Sequence, residues 1–124
     1  MLLHLTDLSP EPLHEQISRQ VRAQILTGQL PDGEPLPSIR ALARQEKVSV
    51  ITVQRAYDDL LSEGMLVARR GKGFFVATIT DESKAGMAIE RMHAKLQAIV
   101  EEARAEGLTP AQMQSAFQDI LEGR

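Results

Sequence analysis

The chain has 124 residues and a formal net charge of −3, and 43% of its residues are hydrophobic but only 3% aromatic. It contains no cysteine, which excludes a disulfide framework, a thiolate metal site and a cysteine nucleophile. No apolar run approaches the ~20 residues that a membrane span needs, and the acidic start MLLHLTDLSPEP is not typical of a signal peptide.

The charges are unevenly distributed along the chain. The acidic excess lies in residues 78–124, whereas the charges of residues 1–77 sum to zero. Within residues 36–57, four basic side chains accompany a single acidic one. Because a polyanion responds to the local field, the negative total does not exclude a nucleic-acid partner.

Residues 10–28 are predicted to form the first helix. Apolar residues recur at steps of four, which makes one apolar stripe, and Gly28 is placed to end the helix. The stripe consists of Leu13, Ile17, Val21 and Ile25. The next segment, QLPDGEPLP, holds three prolines and a glycine and is predicted to be a loop.

A short second helix is predicted after Ser38, whose side chain can cap it. Ile39, Leu42 and Ala43 would face inward on this helix. Arg40 and Arg44 stand four residues apart on the opposite face, where they are free to meet a phosphate backbone.

The stretch VSVITVQRAY at residues 48–57 is ambiguous, because its β-branched residues are typical of a strand. No turn residue follows it before Gly64, however, and Ser49 is a good helix cap. A helix from Val50 would bury one stripe, formed by Val53, Ala56, Tyr57 and Leu60. We therefore predict a helix whose outward face carries Ile51, Thr52, Gln54, Arg55 and Asp58.

Residues 65–77 are predicted to form a hairpin, because two β-prone runs flank the glycine-containing turn RRGKG. The polar segment 78–86 is expected to be a linker. A long helix should follow and end at Gly107, and a last helix should start after Thr109, with Pro110 in its first position.

The last two helices carry apolar residues that are predicted to form an interface between helices. The long helix has an approximate heptad seam, and the last helix has one apolar side. The candidate dimer-interface residues are Ala88, Met92, Leu96, Ile99, Val100, Ala103, Phe117 and Leu121.

Two short helices separated by a tight turn and followed by a basic hairpin predict a helix-turn-helix with a wing. Such a second helix fits the major groove of DNA, and Arg69, Arg70 and Lys72 at the wing tip would meet phosphates. The exposed Ile51 has an explanation on this reading, because an apolar side chain can contact a thymine methyl group.

Four motifs resemble the winged helix-turn-helix domain of the GntR family of bacterial transcription regulators: PLHEQI, GQLPDGEPLPSIRALA, VSVITVQRAYDDLLSEGML and RRGKGFFV. The resemblance covers roughly residues 10–77, and the helical remainder resembles the YtrA subfamily, in which it is a dimerisation element. The resemblance implies DNA contacts by Arg40, Ser49, Thr52, Gln54, Arg70, Gly71 and Lys72.

The sequence departs from the family pattern at three positions. Many relatives have a basic residue in place of Val50, and often another in place of Gln54, so their base preference does not transfer. The turn glycine common in the family is replaced by Lys47, which would be strained by about 1 kcal/mol if its φ is positive. The full set of candidate DNA-binding residues is Arg40, Arg44, Ser49, Val50, Ile51, Thr52, Gln54, Arg55, Arg70, Gly71 and Lys72.

The expected fold is mainly α with a small β wing: a winged helix-turn-helix domain in residues 1–77 plus a C-terminal two-helix dimerisation element in residues 78–124. The expected function is that of a cytoplasmic bacterial repressor that binds a pseudo-palindromic DNA operator as a homodimer. No catalytic residue, metal site, cofactor or membrane contact is predicted, and the sequence does not identify an effector ligand. Two alternatives remain open: a winged-helix module that binds another protein, and a small-molecule sensor with a pocket at the dimer seam.

Overall fold

The structure is a computed structural model that describes residues 1–124. It consists of five α-helices and one two-stranded antiparallel sheet. In chain order the elements are α1 (Leu13–Leu26), α2 (Ile39–Glu46), α3 (Val50–Ser62), β1 (Leu66–Arg69), β2 (Gly73–Val76), α4 (Asp81–Ala105) and α5 (Pro110–Leu121). They form two compact units, Met1–Asp81 and Glu82–Arg124.

The core of the first unit lies between α1, α2 and α3. Both α1 and α2 pack against α3, and the apolar stripes predicted from the sequence meet there. The completely buried side chains include Ile17, Val21, Ile25, Leu42, Val53, Ala56, Tyr57 and Leu60. Burying an aliphatic or aromatic side chain of this size contributes about 1.5–3 kcal/mol relative to leaving it in water.

The ambiguous segment that begins at Val48 is a helix, as predicted, and not a strand. Ser49 caps α3, since its Oγ accepts a hydrogen bond from the N–H of Thr52 at 3.1 Å. The β-branched residues at the front of the helix cost ~0.5 kcal/mol each in helix propensity. Burial of the stripe on the opposite side of α3 outweighs that cost.

Lys47 lies in the left-handed conformation, with φ 57° and ψ 43°. It is the one residue other than glycine with a positive φ, so the condition for strain at the family's turn-glycine position is met. Its backbone N–H donates to the carbonyl of Ala43 and closes α2, and Val48 donates to the same carbonyl at 3.0 Å. The tight turn between α2 and α3 therefore depends on a strained residue.

The wing is a hairpin in which Leu66 pairs with Val76 and Arg69 pairs with Gly73. Lys72 N–H donates to the Arg69 carbonyl at 2.9 Å across the turn. The segment before α2, predicted only as a loop, runs along the other edge of β2. It donates from Leu36 N–H to the Phe74 carbonyl at 2.9 Å, and it forms an isolated bridge with Phe75.

Polar side chains of α1 hold the extended N-terminal segment, residues 2–6. Gln16 and Gln20 each donate to a main-chain carbonyl and accept from the N–H of the same residue, at 2.8–3.0 Å. Gln24, one turn further on, donates to the Leu2 carbonyl at 2.7 Å. The side chains thus satisfy the backbone of this segment as a neighbouring strand would.

In the second unit, the linker predicted at residues 78–86 is wrong from Asp81 onward, because α4 begins there. Asp81 and Glu82 stand in the first turn, where acidic side chains stabilise the positive end of the helix dipole. The polar composition that predicted a linker is that of an exposed helix. In α5 the predicted cap is confirmed: Thr109 and Gln112 form a reciprocal capping box.

Replacing Lys47 with glycine should stabilise the fold by up to ~1 kcal/mol, because glycine adopts a positive φ without a Cβ clash. Urea unfolding would measure the change. Lys47→Ala is the matched control, since alanine removes the charge but keeps the strain, and it should leave stability nearly unchanged. A lower free energy of unfolding in urea for Lys47→Gly would show that the turn is not strained.

Candidate nucleic-acid interface

The outward face of α3 is free of contacts with the core. Ile51 is 70% exposed and Val50 is 44% exposed, and both follow the cap at the front of the helix. Gln54 and Arg55 are also exposed, one turn further along. The face thus offers an apolar front followed by an amide and a guanidinium, which together supply the hydrogen-bonding and apolar groups that base edges accept.

The two hydroxyl groups at the front of α3 are engaged with each other. Ser49 Oγ lies 2.8 Å from Thr52 Oγ1, in addition to its capping bond. Thr52 is half-buried, whereas Ser49 is exposed. Both side chains therefore stand at the predicted site, but part of their hydrogen-bonding capacity is used to hold the helix start.

The positive side chains of α2 point to solvent. Arg40 and Arg44 are both exposed and lie one turn apart, and Lys47 at the turn is exposed as well. Ser38 fixes the start of α2, since its Oγ accepts from Ala41 N–H at 3.1 Å. Arg44 stands in the last turn of α2, where a cation is also favoured by the helix dipole, so part of its role is local.

The wing tip consists of Arg70, Gly71 and Lys72, all of them exposed. Gly71 has a φ of 75°, which a residue with a side chain rarely adopts. Arg69, which the sequence also placed at the tip, ends β1 instead, and its Cζ lies 4.9 Å from the ring centroid of Phe75. This cation–π contact holds Arg69 on the sheet, so Arg70 and Lys72 remain as the tip cations.

Tyr57 connects the segments that carry the site. Its hydroxyl donates to the Pro37 carbonyl at 2.8 Å, just before α2, and its ring meets Phe74 of the wing edge-on at 4.9 Å. Burial raises the pKa of Tyr57 above its ordinary value, so the phenol stays protonated and keeps donating. The sequence identified Tyr57 as a core residue but gave no sign of this polar contact.

All the candidate DNA-binding residues lie on the outside of the first unit, and ten of the eleven are exposed. Two short helices joined by a tight turn, with a basic hairpin directly after them, define a winged helix-turn-helix protein. Residues 13–76 match the bacterial regulatory proteins of the gntR family. The chain belongs to this family and is a transcription regulator.

A relative of similar length is the uncharacterized HTH-type transcriptional regulator YhcF of Bacillus subtilis. The two sequences are 33% identical over 118 residues, which is 93% of this chain and 94% of the relative. The similarity thus extends beyond the winged domain into α4 and α5.

Two solved structures have a similar fold. YtrA from Sulfolobus acidocaldarius, a GntR-family transcription factor, is 28% identical with a TM-score of 0.60, and the match covers 98% of this chain and 97% of that one. The DNA-binding domain of AraR, solved in complex with operator ORX1, is 31% identical with a TM-score of 0.53. That match covers 60% of this chain and 93% of AraR(DBD).

No group of three or more histidine or acidic side chains is arranged to hold a metal ion. None of the five helices combines the length and the apolar character that crossing a lipid bilayer requires.

Gln54 and Lys72 are predicted to act differently on DNA. A glutamine amide matches adenine N6 and N7, whereas a lysine is a point charge suited to phosphate. Gln54→Ala should lose ~1–3 kcal/mol of discrimination at one base pair per half-site and keep its non-specific affinity. Lys72→Ala should weaken binding to all sequences and lower the salt slope by about 1 for each phosphate that the wing no longer neutralises.

Titrations against an operator, a single-base variant and random DNA at several salt concentrations would separate these effects. The two variants serve as each other's control, because both truncate an exposed side chain to alanine. Uniform weakening by Gln54→Ala, or a changed base preference in Lys72→Ala, would mean that α3 lies in the groove in a different register.

Proposed function

We propose that the protein is a homodimeric repressor that binds a pseudo-palindromic DNA operator through α3 and the wing. The observation that carries this proposal is the outward face of α3, which takes no part in the core and is flanked by exposed cations. The membership of the gntR family and the operator complex of AraR(DBD) support the same assignment.

The proposed DNA contacts are of two kinds: contacts with backbone phosphates and contacts with base edges. Arg40, Arg44, Arg70 and Lys72 would neutralise phosphates, which supplies affinity without sequence preference. Gln54, Arg55 and the apolar residues at the front of α3 would meet base edges in the major groove. Because the affinity from phosphate contacts comes from the release of counterions, binding should weaken steeply as the salt concentration is raised.

The homodimer is proposed because the second unit cannot bury its own apolar residues. No residue of α4 or α5 is buried in the single chain, and Met92, Ile99 and Phe117 are 50%, 58% and 41% exposed. An apolar surface of this kind marks an interaction site in a protein that is otherwise well packed. The occupant we propose is the same surface of a second copy, because dimers with a two-fold axis match a two-fold operator.

A groove between α4 and α5 lies on this surface and has a volume of about 400 Å³. Its lining is apolar except for Gln114, and it includes Leu96, Val100 and Phe117. The volume also lies within the range of small-molecule pockets, which is the specific observation that favours an effector site as a second function. Ligand pockets, however, offer several placed polar groups, so a helix of the partner is the better occupant.

A dimer bound to its operator would cover the DNA surface that the α3 helix and the wing of each copy contact. Such coverage excludes other proteins from the same DNA, and repression by occlusion follows without any further contact. We assign this action to the bacterial cytoplasm, where the chromosome lies, and we assign no enzymatic activity to the protein.

In vitro selection of bound DNA from a random pool tests the proposed function. We expect an enriched site with two related half-sites about one helical turn apart, as two-fold helix-turn-helix dimers require. Binding to this site should fall steeply between low and high salt. Enrichment of no sequence, together with salt-independent association with other proteins, would favour the protein-interaction alternative.

Met92→Asp should separate the dimer. The carboxylate is solvated in the single chain but would be buried without a partner in the dimer, at a cost of several kcal/mol. Sedimentation should then give a monomer, and affinity for the full operator should drop. Ala94→Asp is the control. It adds the same charge at an exposed position, two residues along α4 and therefore on the opposite side of the helix. A tight dimer in Met92→Asp would place the interface elsewhere.

A further inference from the structure

The front of α3 exposes two adjacent β-branched side chains that do not serve the fold. Val50 and Ile51 occupy the first two positions of the helix, where they are 44% and 70% exposed. β-branched residues are poorer helix formers than alanine or leucine, and their exposed methyl groups gain nothing from burial. The core of the first unit therefore does not account for the apolar character of both positions.

The surroundings of this pair are polar and positively charged. Arg44, Lys47 and Arg55 are exposed in neighbouring positions of the chain, and Glu46 is the single acidic residue in this segment. The hydroxyls of Ser49 and Thr52 are paired with each other at 2.8 Å. Val50 and Ile51 thus form an apolar patch among cationic side chains. Such a surface can bind a polyanion that presents a methyl group.

Base edges in the major groove present one such group. Thymine carries a C5-methyl, and cytosine gains the same methyl at the same position when it is methylated. The other groups that distinguish the base pairs there are hydrogen-bond donors and acceptors, which Val50 and Ile51 cannot satisfy.

We propose that Val50 and Ile51 determine part of the operator sequence by contacting the C5-methyl group of a pyrimidine in each half-site. The inference rests on the proposed binding of DNA through α3 and adds to it the chemical group that is read. Burial of one methyl group between these side chains should change the dissociation constant about four-fold per half-site.

The test uses the full-length protein and the operator obtained by selection. Each thymine is replaced in turn by deoxyuridine, which removes the methyl group and keeps every hydrogen-bonding group. We expect one position per half-site at which this replacement weakens binding about four-fold, and about sixteen-fold when both half-sites are changed. Other thymines should tolerate the replacement.

Variants then connect the methyl group to the two side chains. Ile51→Ala and Val50→Ala remove exposed groups from the helix surface, so both should remain folded, which a melting curve checks. With Ile51→Ala, the ratio of affinities for the thymine and deoxyuridine operators should fall toward one. Leu8→Ala is the matched control, because Leu8 is 96% exposed outside the proposed interface, and its ratio should equal that of the natural protein.

A second set of operators separates the two sources of the methyl group. Each cytosine of the operator is replaced by 5-methylcytosine, and any gain in affinity is compared between the natural protein and Ile51→Ala. A deoxyuridine-sensitive position identifies thymine as the source, whereas a gain with 5-methylcytosine alone identifies the methylated base. Either result supports the proposal when Ile51→Ala or Val50→Ala abolishes it.

Two outcomes would overturn the inference. An operator that is indifferent to every methyl group would refute it while leaving the proposed function intact. Methyl sensitivity that persists at full size in both alanine variants would assign the contact to other residues. If no operator is selected at all, the proposed function and this inference fail together.

Discussion

The position of α3 depends on one buried side chain, Tyr57. Its ring packs on Phe74 of the wing, and its hydroxyl bonds to the Pro37 carbonyl just before α2. A buried hydroxyl without a partner would cost about 1–3 kcal/mol, so the tyrosine requires the segment before α2 to remain where it is. The same segment pairs with β2. One residue on the inner side of α3 thus fixes the three segments whose outer sides form the candidate interface.

A second set of polar contacts fixes the end of α3 to α1. Arg22, which is only 8% exposed, donates to Glu63 through two nitrogens at 2.6 and 2.9 Å, and Glu63 is the residue that closes α3. A partly buried ion pair of this kind contributes little net stability, because desolvation offsets the attraction. Its geometry is nevertheless restrictive, since a bidentate pair tolerates little rotation. The contact therefore does more to define how α3 is oriented than to keep the domain folded.

The sequence predicted those features that leave a local pattern and missed those that depend on distant partners. The caps at Ser38, Ser49 and Thr109 follow from residue type at a helix start. The left-handed Lys47 does not, since only its position at the family's turn glycine pointed to a positive φ. The start of α4 at Asp81 was missed because a polar, exposed helix resembles a linker in composition. The glutamines of α1 and the Arg22–Glu63 pair have no periodic signal, because their partners are 10–41 residues away. The exposure of the α3 residues of the candidate interface was predictable, because residues of α3 outside its buried stripe must face water.

The two units differ in how their stability relates to association. The first unit has its own core, with Ile17, Val53 and Leu60 completely buried. The second unit has no buried residue in the single chain, so its packing energy would come mainly from the proposed partner. Partner binding stabilises a fold by mass action, so the proposed dimer would make the order of α4 and α5 depend on protein concentration. Because two half-sites bring two chains together, operator DNA would then favour the dimer by the same amount that dimerisation favours operator binding. If the dimer forms as proposed, a short helical unit without a core of its own would make operator binding, and so repression, depend cooperatively on the protein concentration.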